Sequence, residues 1–209
     1  MIDNNIICLE GPEGCGKTTI APILKEKLEQ EGYDVIISRE PGGTQLGEKI
    51  RNILRNDNMA AMTELLLFMG ARYEHYDKVI RPHIENGGIV ILDRYIPSSI
   101  AIQGYAKDLG HIVSYLHDLV MPIEAREYTS IFIDIPVELG LERKTTQEDG
   151  ISKFELEGLE FHEKVYKGYK DLIGNEEFNF VVVDGLQSPD DIVRDILNSI
   201  ILKEGHENG

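Results

Sequence analysis

The chain has 209 residues, 42% of them hydrophobic, and no low-complexity tract, which suffices to bury one sizeable core and leads us to expect a single domain over 1–209. Its formal net charge of -16 repels polyanions, which excludes a broad face for a nucleic acid polymer or an anionic membrane, so any anionic ligand must meet a local cluster of Arg and Lys. The amino end lacks a basic-then-apolar leader pattern and no apolar run reaches the roughly 18 residues of a membrane helix, so a cytoplasmic location is expected.

In chain order, the first short β-branched run is 6–9, expected as a buried strand. The stretch GPEGCGKTT, 11–19, follows it and opens a segment with helical spacing over 17–30. A second strand is expected at 35–37, closed by Arg39-Glu40-Pro41-Gly42-Gly43, and then helices over 47–55 and 63–85. The third strand, 89–92, ends in Asp93-Arg94-Tyr95. Beyond it come a helix at 113–121, a strand at 131–135, helices at 137–144 and 158–173, a strand at 180–183 and a helix at 190–202. Strand and helix alternate throughout, which predicts an α/β fold with a five-stranded parallel sheet and helices on both faces. Ligands in such sheets gather at the carboxyl ends of the strands. The two cysteines, Cys8 in an apolar run and Cys15 in the glycine loop, are expected as free thiols.

Gly11, Gly16, Lys17 and Thr18 fill every fixed position of G-x-x-x-x-G-K-[ST] between a strand and a helix, so the whole stretch Gly11, Pro12, Glu13, Gly14, Cys15, Gly16, Lys17, Thr18 and Thr19 is assigned to a bound nucleotide. The glycines let backbone amides turn toward phosphate oxygens, the helix start adds its positive dipole end, Lys17 bridges the outer phosphates and Thr18 offers a hydroxyl to magnesium. Asp93 at a strand end suits magnesium held through water, although such an Asp is also a turn former. Glu10 either joins it or only satisfies nearby backbone donors.

Arg39, Arg51, Arg72 and Arg94 fall in or soon after the strand-end segments. An acceptor that is itself a phosphate explains them, because guanidinium groups cancel the repulsion between two anionic nucleotides. No Asn-Lys-x-Asp segment for reading guanine is present.

The ordered set GPEGCGKTT, REPGGTQLGEKIR, ELLLFMGARYEH, LDRYIPSSIAIQGYA and FHEKVYKGY resembles the bacterial thymidylate kinases of the nucleoside monophosphate kinase group, over most of the chain. That resemblance implies a P-loop kinase fold with a lid, transfer of the ATP γ-phosphate to dTMP with magnesium, a role in dTTP synthesis and a homodimer. It implies that Glu13 sits near the acceptor sugar's 3'-hydroxyl, that Arg51, Arg72 and Arg94 hold or bridge the acceptor phosphate, that Phe68 stacks on thymine, and that Ser99 and Gln103 read its polar edge. A carboxamide has both the donor and the acceptor that thymine requires. Phe68 as a core residue is the competing reading, yet its face also carries Glu64 and Arg72, which suits a site lining better.

Two positions depart from the family pattern. Pro97 and Ile102 stand where relatives commonly have Asp and Tyr, which loosens selectivity for deoxyribose. The lid, placed at about 145–156, reads TTQEDGISKFEL and lacks the family's Asp-Arg-x-Asp/Glu segment, so Arg143 just before it is expected to contact the transferring group with Lys153 assisting. An arginine of this kind is worth roughly 10³ to 10⁵ in turnover. Two alternatives compete: a deoxynucleoside kinase with Glu40 as general base for a 5'-hydroxyl, and a regulatory nucleotide-binding module.

Overall fold

The computed structural model describes residues 4–145, 157–175 and 178–201. Most of the expected lid, with Lys153, and the tail 203–209 lie outside the described residues. The strands are β1 (Ile6–Glu10), β2 (Val35–Arg39), β3 (Ile89–Asp93), β4 (Thr129–Asp134) and β5 (Phe180–Asp184), ordered β2-β3-β1-β4-β5 and all parallel. β1 is central, with Ile7 opposite Ile91 on one side and Thr129 on the other, and each of its residues is buried.

Alternation along β1 divides the interior. Ile7 and Leu9 pack with Ile20 and Leu24 of α1 (Lys17–Gln30) and with Ile192 and Ile196 of α9 (Pro189–Ile200). Ile6 and Cys8 face the other way, toward Leu65 and Met69 of α3 (Ala61–His75) and toward Tyr95. A smaller cluster joins Phe132 of β4 to Val165 and Tyr169 of α8 (Leu159–Ile173). Helices therefore cover both faces, as a parallel sheet requires. Both cysteines are buried free thiols.

Helices α2 (Gln45–Asn56), α6 (Ile112–Val120) and α7 (Val137–Thr145) stand within two residues of the expected bounds. Three elements differ from expectation. β4 starts at Thr129, two residues early, because Thr129 and Ser130 are buried in register with Ile7 and Cys8; polar side chains hid a strand whose place is set by its neighbour. The long helix begins at Ala61 and passes through a π segment at Tyr76–Ile80 before α4 (Arg81–Glu85). Pro82 near the start of α4 lacks an N–H and crowds the carbonyl four residues earlier, which a wider turn accommodates. A helical stretch absent from the sequence expectation runs through α5 (Ile96–Ser99) and a π segment, Ile100–Ala106. Its Pro, Ser, Gly and Ile content is weakly helical, and packing of Ala101 against the Tyr169 cluster holds it.

His117 on α6 is buried, and among the described residues neither ring nitrogen has a hydrogen-bond partner. Its ring meets Tyr95 edge-on at 5.8 Å. Burial first, then the charges of Arg72 and Arg126, push its pKa down to about 3 from 6.5. The unfolded chain thus takes up a proton near pH 6.5 that the folded chain refuses until about pH 3, so stability falls as pH falls across that window, by about 1.4 kcal/mol per pH unit from this group. His117→Phe should lose less melting temperature than the parent protein on acidification through that window; parallel losses would contradict the assignment.

Candidate active site

The carboxyl ends of β1, β2 and β3 open on a cleft of about 570 Å³. The loop 11–16 joins β1 to α1, with Gly14 at φ 69° and Gly16 at φ 100°, left-handed values that favour glycine. Gly16 caps α1 and accepts from the Thr19 N–H, so the free amides of the helix start face the loop mouth. Lys17 is buried, and its Nζ donates to the carbonyls of Pro12 at 3.2 Å and Gly11 at 3.4 Å. Thr18 and Thr19 are exposed, and with Glu13, Gly14, Gly16 and Lys17 they line the cleft. Cys15 lies under the loop, its Sγ 2.8 Å from where a side chain on Gly11 would begin.

Arg94 stands at the end of β3 with φ 71°, a conformation uncommon outside glycine and the kind of strain found at working sites. Its Nη2 donates to Glu13 Oε1 at 2.7 Å, and its Nη1 reaches Ser98 Oγ, Tyr169 OH and the Gly11 carbonyl at 3.1 to 3.3 Å. The glycine loop and the end of β3 are thereby tied through one guanidinium. Burial alone would raise the Glu13 carboxyl, but Arg94, Lys17, Lys144 and His162 outweigh it and hold it down at about 2.

Glu10, expected either at the metal or as a partner of nearby backbone donors, is ringed by donors. Its carboxylate has 0% exposure; Oε1 accepts from the Tyr95 N–H at 2.8 Å, and Oε2 accepts from Ser98 Oγ at 2.5 Å and Tyr169 OH at 2.8 Å. With its lone pairs committed it serves as a buried anchor for the Arg94 surroundings. Asp93 has the opposite condition. It lines the cleft, and among the described residues its buried Oδ1 has no partner.

The arginines divide into two groups. Arg51 Nη1 donates to the Pro41 carbonyl at 3.0 Å, and burial together with the like charges of Arg39 and Arg55 lowers its pKa. Such crowding of cations at a cleft wall is relieved by an anion. Arg55 also lines the cleft. Arg72 is the second kind. Its Nε donates to Glu40 Oε2 at 2.6 Å and its Nη2 to Ser99 Oγ at 3.0 Å, with 2% exposure. Glu40 already balances this charge, and Arg72 lines the same cleft as Arg94, Phe68 and Gln103 with its guanidinium tied to Ser99.

Glu40 is equally committed. Arg72 holds one oxygen and His75 approaches the other at 3.2 Å; despite burial, these partners depress its pKa. A carboxylate so bound and kept ionised is unsuited to take a proton. Phe68 is half-buried, lines the cleft and belongs to none of the buried hydrophobic clusters. Gln103 is fully buried, and its Nε2 donates to Glu64 Oε1 at 3.0 Å. Its carbonyl oxygen is left unpartnered among the described residues, so the carboxamide has a free acceptor in a residue that lines the cleft.

At the end of α7, Arg143 is exposed whereas Lys144 lines the cleft, so the helix turns the neighbouring residue inward. Lys144, Tyr169 and Ser98 are the site residues that sequence reading missed. Tyr169 lay in FHEKVYKGY, a segment of the family resemblance that gave the tyrosine no role, and Lys144 differed from Arg143 by one position on the helix wheel. α7 also touches the glycine loop backbone to backbone: a Cβ on Gly140 would lie 2.1 Å from the Glu13 carbonyl oxygen, and one on Gly14 2.1 Å from that of Gly140. Gly140→Ala should push the loop off its position and cut turnover by roughly 10²-fold with the far-ultraviolet circular dichroism unchanged; unaltered kinetics would show that the contact is slack.

Comparison with known proteins agrees with this geometry. The thymidylate kinase family profile matches residues 9–196. Thymidylate kinase of Geotalea daltonii is 38% identical over 97% of this chain and 98% of its own length, and that of Fervidobacterium nodosum is 40% identical over 91% and 95%. The crystal structure of thymidylate kinase from Ehrlichia chaffeensis superposes with a TM-score of 0.75 at 28% identity, covering 95% of this chain and 98% of that one. By this profile match and these identities, the chain belongs to the thymidylate kinase family.

Proposed function

We propose that the chain transfers the γ-phosphoryl group of ATP to dTMP, giving ADP and dTDP for dTTP synthesis. The observation that supports this most is the meeting in one cleft of a phosphate loop, a set of cations, a half-buried aromatic ring and an amide acceptor. ATP phosphates lie along the amides of 11–19 with Lys17 at the outer phosphates. The acceptor phosphate enters between Arg51 and Arg94, whose charges neutralise the repulsion between the two nucleotides and stabilise the charge that spreads over the transferring group. Glu13, held by Arg94, stands at the acceptor sugar. Phe68 stacks on the thymine face, and Arg72 with Ser99 and Gln103 addresses its polar edge. No general base is required, because an acceptor phosphate oxygen is already anionic.

The orphaned Asp93 oxygen and the exposed Thr18 hydroxyl fit magnesium, which binds proteins through few carboxylates and many waters. Thr18 and Asp93 would hold the ion, which would supply charge neutralisation for the phosphates. Ile102 lines the cleft, and as the smaller apolar residue where relatives commonly have Tyr it leaves the acceptor sugar less closely confined.

Lys144 takes the place expected for Arg143 as the α7 cation that reaches the cleft, with Lys153 assisting. Apolar Leu66 and Tyr73 of α3 and Tyr115 and Leu119 of α6 are exposed on helices that pack together, which supports a homodimer through that face. No described helix is long and apolar enough to cross a membrane; a cytoplasmic enzyme formed by one domain is the reading that suits the composition.

Three outcomes test these assignments. Coupled ADP release should be stimulated by dTMP and not by thymidine; the reverse would establish a kinase acting on a 5'-hydroxyl. Lys17→Ala should abolish turnover with the fold intact. Lys144→Ala should lower turnover by roughly tenfold or more and Arg143→Ala by much less, and the opposite ranking would restore the role to Arg143.

A further inference from the structure

Glu64, Phe68 and Arg72 are spaced four residues apart on α3, so they form one stripe with about 6 Å between successive members. Phe68 and Arg72 line the cleft. Glu64 continues the stripe into the interior, where it has 0% exposure. Lys107, just past the π segment 100–106, places its Nζ 2.8 Å from each Glu64 oxygen, and Gln103 donates to Oε1. A carboxylate on α3 is thus joined to a cation and an amide on the facing segment.

The consequence falls on Gln103. A carboxamide has a donor end and an acceptor end of nearly equal size, and a half-turn exchanges them at little steric cost. A carboxylate paired with a lysine only accepts. Glu64 therefore draws the Gln103 NH2 toward itself and leaves Oε1 as the buried, unpartnered atom of a residue that lines the cleft. An unsatisfied buried carbonyl is costly, and a ligand N–H removes that cost. A ligand presenting a lone pair there sets two acceptors against each other.

We propose that Glu64, paired with Lys107, is a positioning residue that fixes the Gln103 carboxamide as an acceptor and so selects a pyrimidine whose ring N3 carries a hydrogen over cytosine, whose N3 is a lone pair. The proposal rests on the assignment of Gln103 to the acceptor base. Lys107 belongs to the same device: its ammonium donates to both Glu64 oxygens, which fixes the carboxylate where Gln103 meets it and leaves it only the acceptor role.

The test is coupled ADP release with dTMP and dCMP for the parent protein, Glu64→Gln and Lys107→Met. Glu64→Gln presents either a donor or an acceptor to Gln103 and removes the bias. The preference for dTMP over dCMP in kcat/KM should fall about tenfold or more in both variants, through a raised dTMP KM with kcat and the ATP KM near the parent values. A merely structural role would depress both monophosphates in proportion, and an unchanged ratio overturns the proposal. On the parent protein, N3-methyl-dTMP should be a far poorer acceptor than dTMP; equal use of the two also overturns it, whether or not the variants fold. If the parent protein phosphorylates thymidine instead of dTMP, it is the functional reading that fails.

Discussion

The site is organised around a charge that had to be fixed before it could be used. Arg94 leaves β3 in a left-handed conformation and donates to Glu13 in the glycine loop, so that two loops from adjacent strands are tied together. Beneath it, Glu10 accepts from Tyr95, Ser98 and Tyr169 and contributes negative potential without touching the guanidinium directly. Burying Arg94 opposes its charge, but Glu13, Tyr169, Asp93 and Glu10 more than offset that and hold it firmly cationic. A cation fixed in this way needs no reorganisation when charge develops on a phosphoryl group, and that is where most of the electrostatic advantage of an enzyme lies.

The rest of the cleft repeats the contrast between matched and unmatched charge. Arg72 is balanced by Glu40 and behaves as a fixed hydrogen-bond donor at the base end. Arg51, crowded by Arg39 and Arg55, has its charge opposed by its surroundings and gains most from an incoming anion. A protein with net charge -16 thereby maintains a local site for two nucleotides. The same logic separates the carboxylates: Glu10, Glu40 and Glu64 are saturated with donors, and Asp93 retains a buried oxygen without one.

Close backbone packing couples these parts. The mutual approach of Gly14 and Gly140 seats α7 against the glycine loop, so the helix that carries Lys144 is referred to the same frame as Glu13 and Arg94. Side chains at that crossing would separate the two elements by more than the reach of a hydrogen bond, which gives the glycines a steric reason distinct from their dihedral freedom.

The sequence by itself determined the alternation of strand and helix, the phosphate loop and the strand-end residues, because these are encoded in short-range periodicity and in a motif whose chemistry is local. It did not determine the helical stretch 96–106, whose weak propensity is overridden by packing against α8, or the start of β4, where Thr129 and Ser130 are held by register with β1. Partners were the other omission. That Glu10 is spent on Tyr169, 159 positions away, that Arg72 is balanced by Glu40, and that Gln103 gives its amide to Glu64 are long-range contacts which only the tertiary structure decides. Residue type sets which protons and lone pairs a side chain owns; the fold alone settles which are already used, and so which are left for a ligand.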